Sequence, residues 1–108
     1  MSTVDVVING QSFRFYASKR AHRAGIRMMA GLIESFEGRV KFYQPDKDKA
    51  PWHMKAHIGD TDINIWYTKQ KASIDDVFYF GQSQISVALL KILQDAEDDK
   101  FDVIDDGE

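Results

Sequence analysis

The chain has 108 residues, of which 44% are hydrophobic and 12% aromatic, with no cysteine and a formal net charge of −3. This length predicts one domain with a single modest core, and the composition lies outside the disordered class. The lack of cysteine excludes disulfides, thiolate metal sites and thiol nucleophiles. No apolar run approaches the roughly 18 residues of a membrane span, and the N-terminal sequence lacks the pattern of a signal peptide. We therefore expect a cytoplasmic protein that contacts no membrane.

The charge is divided unevenly along the chain. Residues 1–55 contain ten Lys and Arg against five Asp and Glu, whereas residues 56–108 contain four against twelve. Eight of these acids fall in the last fourteen residues, DAEDDKFDVIDDGE. A basic surface with an acidic tail is typical of nucleic-acid partners, although a solvated tail that aids solubility has the same composition.

The first element is a hairpin over residues 3–17, with Asn-Gly at its centre. Asn-Gly between alternating apolar runs is the strongest short hairpin signal, because a type I′ turn needs positive φ at both turn residues. A two-residue turn sets Val6 opposite Phe13 on the core face. On the other face it sets Asp5 opposite Arg14, a favourable cross-strand ion pair.

Residues 18–36 predict a helix with Ser18 as the N-cap and a glycine just after its end. The apolar positions at helical spacing include Ala21, Gly25, Met28, Leu32 and Phe36. A second stripe, Arg20, Arg23 and Arg27, projects from the first half of the helix. These arginines are candidates to hold phosphates or an acidic protein surface, and an ordinary solvated helix face is the alternative.

Further strands are predicted after this helix. Residues 39–44 alternate in polarity, and residues 52–68 predict a hairpin that turns near Gly59. A two-residue and a four-residue turn place the same residues of this hairpin on the same face, so the sequence predicts which side chains face the core. Residues 72–81 predict a fifth strand, with a bulge or a late start at its two consecutive aspartates.

A second helix is predicted over about 84–97, and residues 98–108 are expected to be a disordered acidic tail. The order β-β-α-β-β-β-α favours an α+β domain over residues 1–97. In this fold, one antiparallel sheet of about five strands carries two helices on one face. The expected core consists of Val4, Val6, Phe13, Phe15, Val40, Phe42, Met54, Ile58, Ile63, Ile65, Met28, Leu32, Leu89 and Ile92.

The side chains of opposite parity are then expected to share the solvent face of the sheet. The members of this basic and aromatic face are Arg14, Tyr16, Arg39, Lys41, Tyr43, His53, Lys55, His57, Asn64 and Trp66. Cations that follow phosphates and rings that stack under bases are what single-stranded nucleic acid requires. Two alternatives account for the same residues on this face. The face could bind a protein, or Trp66 could pack against the N-terminal hairpin or a second copy of the chain.

The sequence supports a metal site or an enzyme active site less well than a binding face. His53 and His57 are about 13 Å apart on a strand, too far for both to ligate one zinc ion. No Gly-x-Ser-x-Gly, P-loop or Gly-x-Gly-x-x-Gly motif is present. Aspartates such as Asp60 and Asp62 could pair with histidines in a hydrolase, but acids at turns are usually structural. We expect no enzyme activity, no cofactor and no metal.

The sequence therefore predicts a small non-enzymatic binding module, monomeric or homodimeric, that engages single-stranded nucleic acid. The candidate site residues are Arg20, Arg23, Arg27, Arg39, Lys41, Tyr43, His53, Lys55, His57 and Trp66. The alternative is a protein-binding inhibitor or adaptor of the phage or mobile-element type. It would act on a host protein through the same face or through residues 98–108.

Overall fold

The computed structural model describes the backbone of residues 2–105 and the side chains of residues 2–97. Its fold is α+β, as predicted, with two α-helices and seven antiparallel strands. In chain order, the elements are β1 Thr3–Ile8, β2 Gln11–Tyr16, α1 Arg20–Ser35, β3 Lys41–Tyr43, β4 Met54–Ile58, β5 Thr61–Trp66, a 3₁₀ turn Tyr67–Lys69, β6 Lys71–Ile74, β7 Val77–Phe80 and α2 Gly81–Asp105.

The strands form two sheets rather than one. The pair β1–β2 is a separate two-stranded sheet, and β3 to β7 form a five-stranded meander in chain order. The predicted register of the first hairpin is confirmed, with Val6 opposite Phe13 and Asp5 opposite Arg14. The hairpin is attached to the neighbouring β3 segment by side chains, since Gln44 Oε1 accepts from the Arg14 N–H at 2.8 Å.

The predicted fifth strand is itself a hairpin. β6 and β7 pair across Asp75-Asp76, with Ile74 opposite Val77. Both aspartates have positive φ, 49° and 66°, which is the backbone of a type I′ turn. The sequence prediction missed this turn because it contains no glycine, the usual marker of such a conformation. Consequently β7, rather than the 72–81 segment as a whole, is the edge of the sheet.

One face of the five-stranded sheet is buried under the two helices. The fully buried side chains include Met54, Ile63 and Ile65 from the sheet, and Met28 and Leu89 from the helices. The predicted sidedness of the central hairpin is therefore confirmed. Burial of a side chain of this size contributes roughly 1.5–3 kcal/mol relative to its exposure.

Two apolar residues of the predicted hairpins are exposed, and one of them, Val4, was expected in the core. Val4 is 40% exposed and Trp52 is 43% exposed. Val4 lies on β1, the strand of the first hairpin farther from the main sheet, so its face is only partly covered. Trp52 precedes β4 instead of belonging to it, and its ring stacks on Tyr16 with centroids 6.1 Å apart.

The ends of the helices also differ from the prediction. The N-cap of α1 is Lys19, not Ser18, and no side chain caps the helix there. Ser18 Oγ instead lies 3.5 Å from Nδ1 of the buried His22. α2 continues to Asp105, so helical backbone extends through 98–105, where a disordered tail was expected; residues 106–108 lie outside the described residues. Within the described chain, neither helix has an apolar stretch sufficient to cross a bilayer.

Candidate nucleic-acid interface

The exposed side of the five-stranded sheet, called here the outer face, carries cations and aromatic rings in adjacent rows. One row places Lys41 opposite His57 and His57 opposite Asp62. In the next row, Tyr43 lies opposite Lys55. That row continues through Asn64, Ser73 and Phe78. The third row contains Trp66, Lys71 and Phe80.

Two polar contacts fix side chains in the middle of the outer face. His57 Nδ1 lies 2.7 Å from Asp62 Oδ1, and this hydrogen bond, with a smaller contribution from nearby Lys55, lowers the pKa of Asp62 below its ordinary value. His53 Nε2 lies 3.3 Å from Asn64 Oδ1. Asp62 thus offsets part of the positive charge at one end of the face.

The β5–β7 end of the outer face carries an aromatic cluster, which consists of Trp66, Phe78 and Phe80. The rings of Trp66 and Phe78 have centroids 6.2 Å apart. The ammonium group of Lys71 lies 5.2 Å from the Trp66 centroid and 5.1 Å from the Phe78 centroid, within the range of cation–π attraction. Phe78 and Phe80 are 49% and 58% exposed, so the cluster presents ring surface and a positive charge together.

A smaller pair of the same kind lies at the opposite edge of the sheet. Lys41 Nζ is 5.8 Å from the centroid of the Tyr43 ring, and both residues belong to β3. Neighbouring strands are about 4.8 Å apart, so β3 and β7 lie about 19 Å apart across the face. The outer face therefore has an aromatic residue with a lysine at each edge and polar groups between them.

The free edge of β7 is partly protected against the addition of another strand. Gly81 N–H donates to Gln70 O at 2.8 Å, and in an antiparallel pair the hydrogen-bonded positions alternate. The backbone groups of Phe78 and Phe80 therefore point away from β6. The Phe80 N–H is taken by Gln84 Oε1 at 2.8 Å, which blocks part of this edge. The face of the strand is thus more available to a ligand than its edge.

The predicted site residues fall into three groups. The structure brings Lys41, Tyr43, His53, Lys55, His57 and Trp66 together on the outer face. Arg39 was expected there, but its guanidinium lies 4.0 Å from Glu97 of α2, on the side of the helices. It departs from the sheet alternation because β3 begins only at Lys41.

The arginine stripe of Arg20, Arg23 and Arg27 is exposed as predicted, but it lies on the other side of the molecule. At about 100° per residue, these positions are roughly opposite the buried face of α1. Because α1 covers the inner face of the sheet, the stripe points away from the outer face. The two basic surfaces are therefore not continuous.

Two further residues expected on the solvent face belong to the separate hairpin sheet. Arg14 is held by Asp5 and Asp48, each with an oxygen 2.8 Å from the guanidinium, and Tyr16 stacks on Trp52. The Arg14 side chain is 33% exposed, and Tyr16 is partly buried. Neither adds a free cation to the outer face.

Sequence reasoning missed Lys71, Phe78 and Phe80. The alternating sequences KASI and VFYF indicate two short strands. They place Lys71, Phe78 and Phe80 on one face only if the intervening Asp-Asp is recognised as a two-residue turn. No group of three or more potential ligand side chains with metal-binding geometry occurs in the part of the chain that the structure describes. Comparison of the chain with protein-family models, curated proteins and solved structures found no match.

Proposed function

We propose that this protein is a non-enzymatic module that binds single-stranded nucleic acid on the outer face. The observation that carries the proposal is the aromatic cluster with Lys71 between its rings. Base–aromatic stacking contributes about 1–3 kcal/mol per base, and it is available to any base. Lys41, Lys55 and Lys71 supply positive charge beside these rings for the phosphates.

The shape of the surface favours a single strand over a duplex. Bases can stack on a flat sheet only when they are unpaired and turned outward. A duplex is usually read by an element that enters a groove, and among the described residues no helix or ribbon projects from the outer face. The arginine stripe, on the opposite side, is not part of this binding surface.

The first prediction concerns the ring that is most exposed. Replacing Phe80 with alanine removes a stacking surface but leaves the core intact, so we expect affinity for a single-stranded oligonucleotide to fall at least about fivefold. Fluorescence anisotropy of a labelled oligonucleotide measures the change. Val87→Ala, which truncates an exposed apolar side chain on α2, is the matched control and should leave affinity unchanged.

The salt dependence gives an independent check of the same binding. Three phosphate contacts to a single strand predict a slope of about −2 in a plot of log affinity against log salt concentration. If the wild-type protein shows no binding at low salt, or if Phe80→Ala and Val87→Ala bind equally, the proposal is wrong.

A protein partner is the second candidate, since Phe78 and Phe80 on the outer face are both about half exposed or more. Exposed apolar residues on neighbouring positions often mark a protein-binding surface. An inhibitor or adaptor that uses this face would bind its partner with a weaker dependence on salt, because apolar burial does not release counterions. A co-purified protein that dissociates on Phe80→Ala, with no oligonucleotide binding, would favour this candidate.

A further inference from the structure

One row of the outer face, called here the central row, crosses the whole five-stranded sheet and has an aromatic ring at each end. Its members, in register from edge to edge, are Tyr43, Lys55, Asn64, Ser73 and Phe78. Between β3 and β7, interstrand steps of about 4.8 Å place the two rings about 19 Å apart. The residues between them are polar, so the row has two separate stacking surfaces.

A lysine accompanies each of these rings. Lys41 Nζ is 5.8 Å from the Tyr43 centroid, and Lys71 Nζ is 5.1 Å from the Phe78 centroid. Both side chains have long, rotatable stems, so each ammonium group can also reach a phosphate beside its ring. Each edge therefore combines the stacking surface and the cation that one unpaired nucleotide requires.

Both rings border open space. Phe78 is 49% exposed. Tyr43 is partly buried, but it also lines an open cleft of about 360 Å³ between the first hairpin and residues 45–48. A base can therefore approach the Tyr43 edge of the sheet as well as the aromatic cluster.

The separation of the two rings sets the length of nucleic acid that can touch both. A nucleotide has six backbone bonds where an amino-acid residue has three, so its extended reach is about twice that of a residue, roughly 7 Å. In a stacked strand the step is only about 3.4 Å. A distance of about 19 Å thus takes about three extended steps or about six stacked ones.

We propose that one nucleic-acid strand crosses the sheet along the central row, with one base stacked at Tyr43 and another at the aromatic cluster. This inference rests on the proposed function. Two contacts made by one ligand reinforce each other only when the segment that joins them spans the distance. The preferred ligand is therefore a strand of at least about four to seven unpaired nucleotides, because a dinucleotide occupies one edge alone.

The test uses two fluorescently labelled probes, each of six nucleotides, with the full chain at low salt. The split probe has a thymine at each end and four abasic sites between them. The paired probe has two adjacent thymines followed by four abasic sites. Length, phosphate number and base number are the same in both, but only the split probe can place a base at each edge.

Tyr43→Ala should weaken the split probe at least about fivefold, the loss of one stacked base, and the paired probe less than about twofold. The paired probe is insensitive because both of its thymines stack on the aromatic cluster, and its retained binding also shows that the variant is folded. Tyr43→Phe keeps the ring and is the matched control, with both affinities unchanged. Phe78→Ala should weaken both probes.

A loss of both probes in Tyr43→Ala is resolved with Tyr43→Val, which favours a strand but has no ring. If Tyr43→Val also weakens both probes equally, Tyr43 supports the fold or a single site and the bridging inference is wrong. An unchanged affinity of the split probe in Tyr43→Ala overturns it as well.

Oligo-dT of about twelve nucleotides separates this inference from the proposed function. If the wild-type protein does not bind oligo-dT, both are wrong. If it binds oligo-dT but not the split probe, only the bridging inference is wrong, because bases between the two edges would then supply the affinity.

Discussion

Tyr67 joins three distant parts of the chain through its ring and its hydroxyl group. The ring is fully buried and lies edge-on to Phe15, with centroids 5.0 Å apart. The hydroxyl donates to Pro51 O at 3.1 Å and accepts from the Tyr16 N–H at 2.9 Å. Burial is the main reason that the pKa of Tyr67 is raised. A polar atom in the core is thus satisfied on both sides, and the first hairpin is tied to the main sheet.

Gly25 of α1 is a residue whose identity Tyr67 dictates. A Cβ at position 25 would contact the carbonyl oxygen of Tyr67 and lie 2.7 Å from its carbonyl carbon. Alanine normally stabilises a helix interior by about 1 kcal/mol relative to glycine. Here we expect Gly25→Ala to lower the free energy of unfolding by about 2 kcal/mol, because overpacking against rigid backbone outweighs that gain. Urea denaturation measures the difference.

Gly31 of the same helix is the matched control. Its added Cβ would meet the Gln82 side chain, with Cδ at 3.0 Å, and this exposed side chain is able to rotate away. Gly31→Ala should therefore leave stability unchanged or raise it by up to about 1 kcal/mol. Equal losses in the two variants would contradict the role assigned to Tyr67.

At the scale of elements, two hairpins share a turn geometry but not a turn sequence. Asn9 and Gly10 have φ of 51° and 81°, and Asp75 and Asp76 have 49° and 66°. The first hairpin was predicted in full because its turn residues and its alternation agree. The second was not, because Asp-Asp favours this geometry only weakly and the flanking strands have four residues each. The exposed aromatic rings of β7 were missed for the same reason.

This comparison predicts a stabilising exchange. Replacing Asp75-Asp76 with Asn-Gly should raise the free energy of unfolding by about 1 kcal/mol, since glycine adopts positive φ without a steric cost and two adjacent like charges are removed. Thermal denaturation at neutral pH gives the change in Tm. The reciprocal exchange, Asn9-Gly10 to Asp-Asp, should lower stability by a similar amount. A loss of stability in the first variant would mean that the aspartates make a contact that outweighs their backbone strain.

At the scale of the whole molecule, periodicity predicted which side of each element is polar but not how the elements stack. The outer face and the arginine stripe were both visible in the sequence, and each is exposed. Their separation depends on which side of the sheet α1 covers, and on the placement of the first hairpin beside β3 in a separate sheet. Neither is encoded in local alternation, because both arise from long-range packing such as that of Gly25 against Tyr67.

The separation of these two basic surfaces leads to a prediction that compares two double variants with the same net charge. Arg23→Glu with Arg27→Glu, and Lys41→Glu with Lys55→Glu, change the formal charge by the same amount. The two shorter dimensions of the molecule are 26 and 22 Å, well beyond the Debye length of about 8 Å at physiological salt. We therefore expect the lysine pair to weaken oligonucleotide binding more than about tenfold, and the arginine pair to change it less than about twofold.

Anisotropy titrations at one fixed physiological salt concentration compare the two double variants directly. Circular dichroism should show the same fold for both double variants, because all four replaced side chains are exposed or only partly buried. An equal loss of affinity would mean that binding follows net charge, not a defined surface. A larger loss in the arginine pair would move the interface to α1 and leave the aromatic cluster without a role in it. We expect the two double variants to differ because of the layered arrangement of the fold. A nucleic-acid strand bound to the outer face is screened from charges on the far side of the helices.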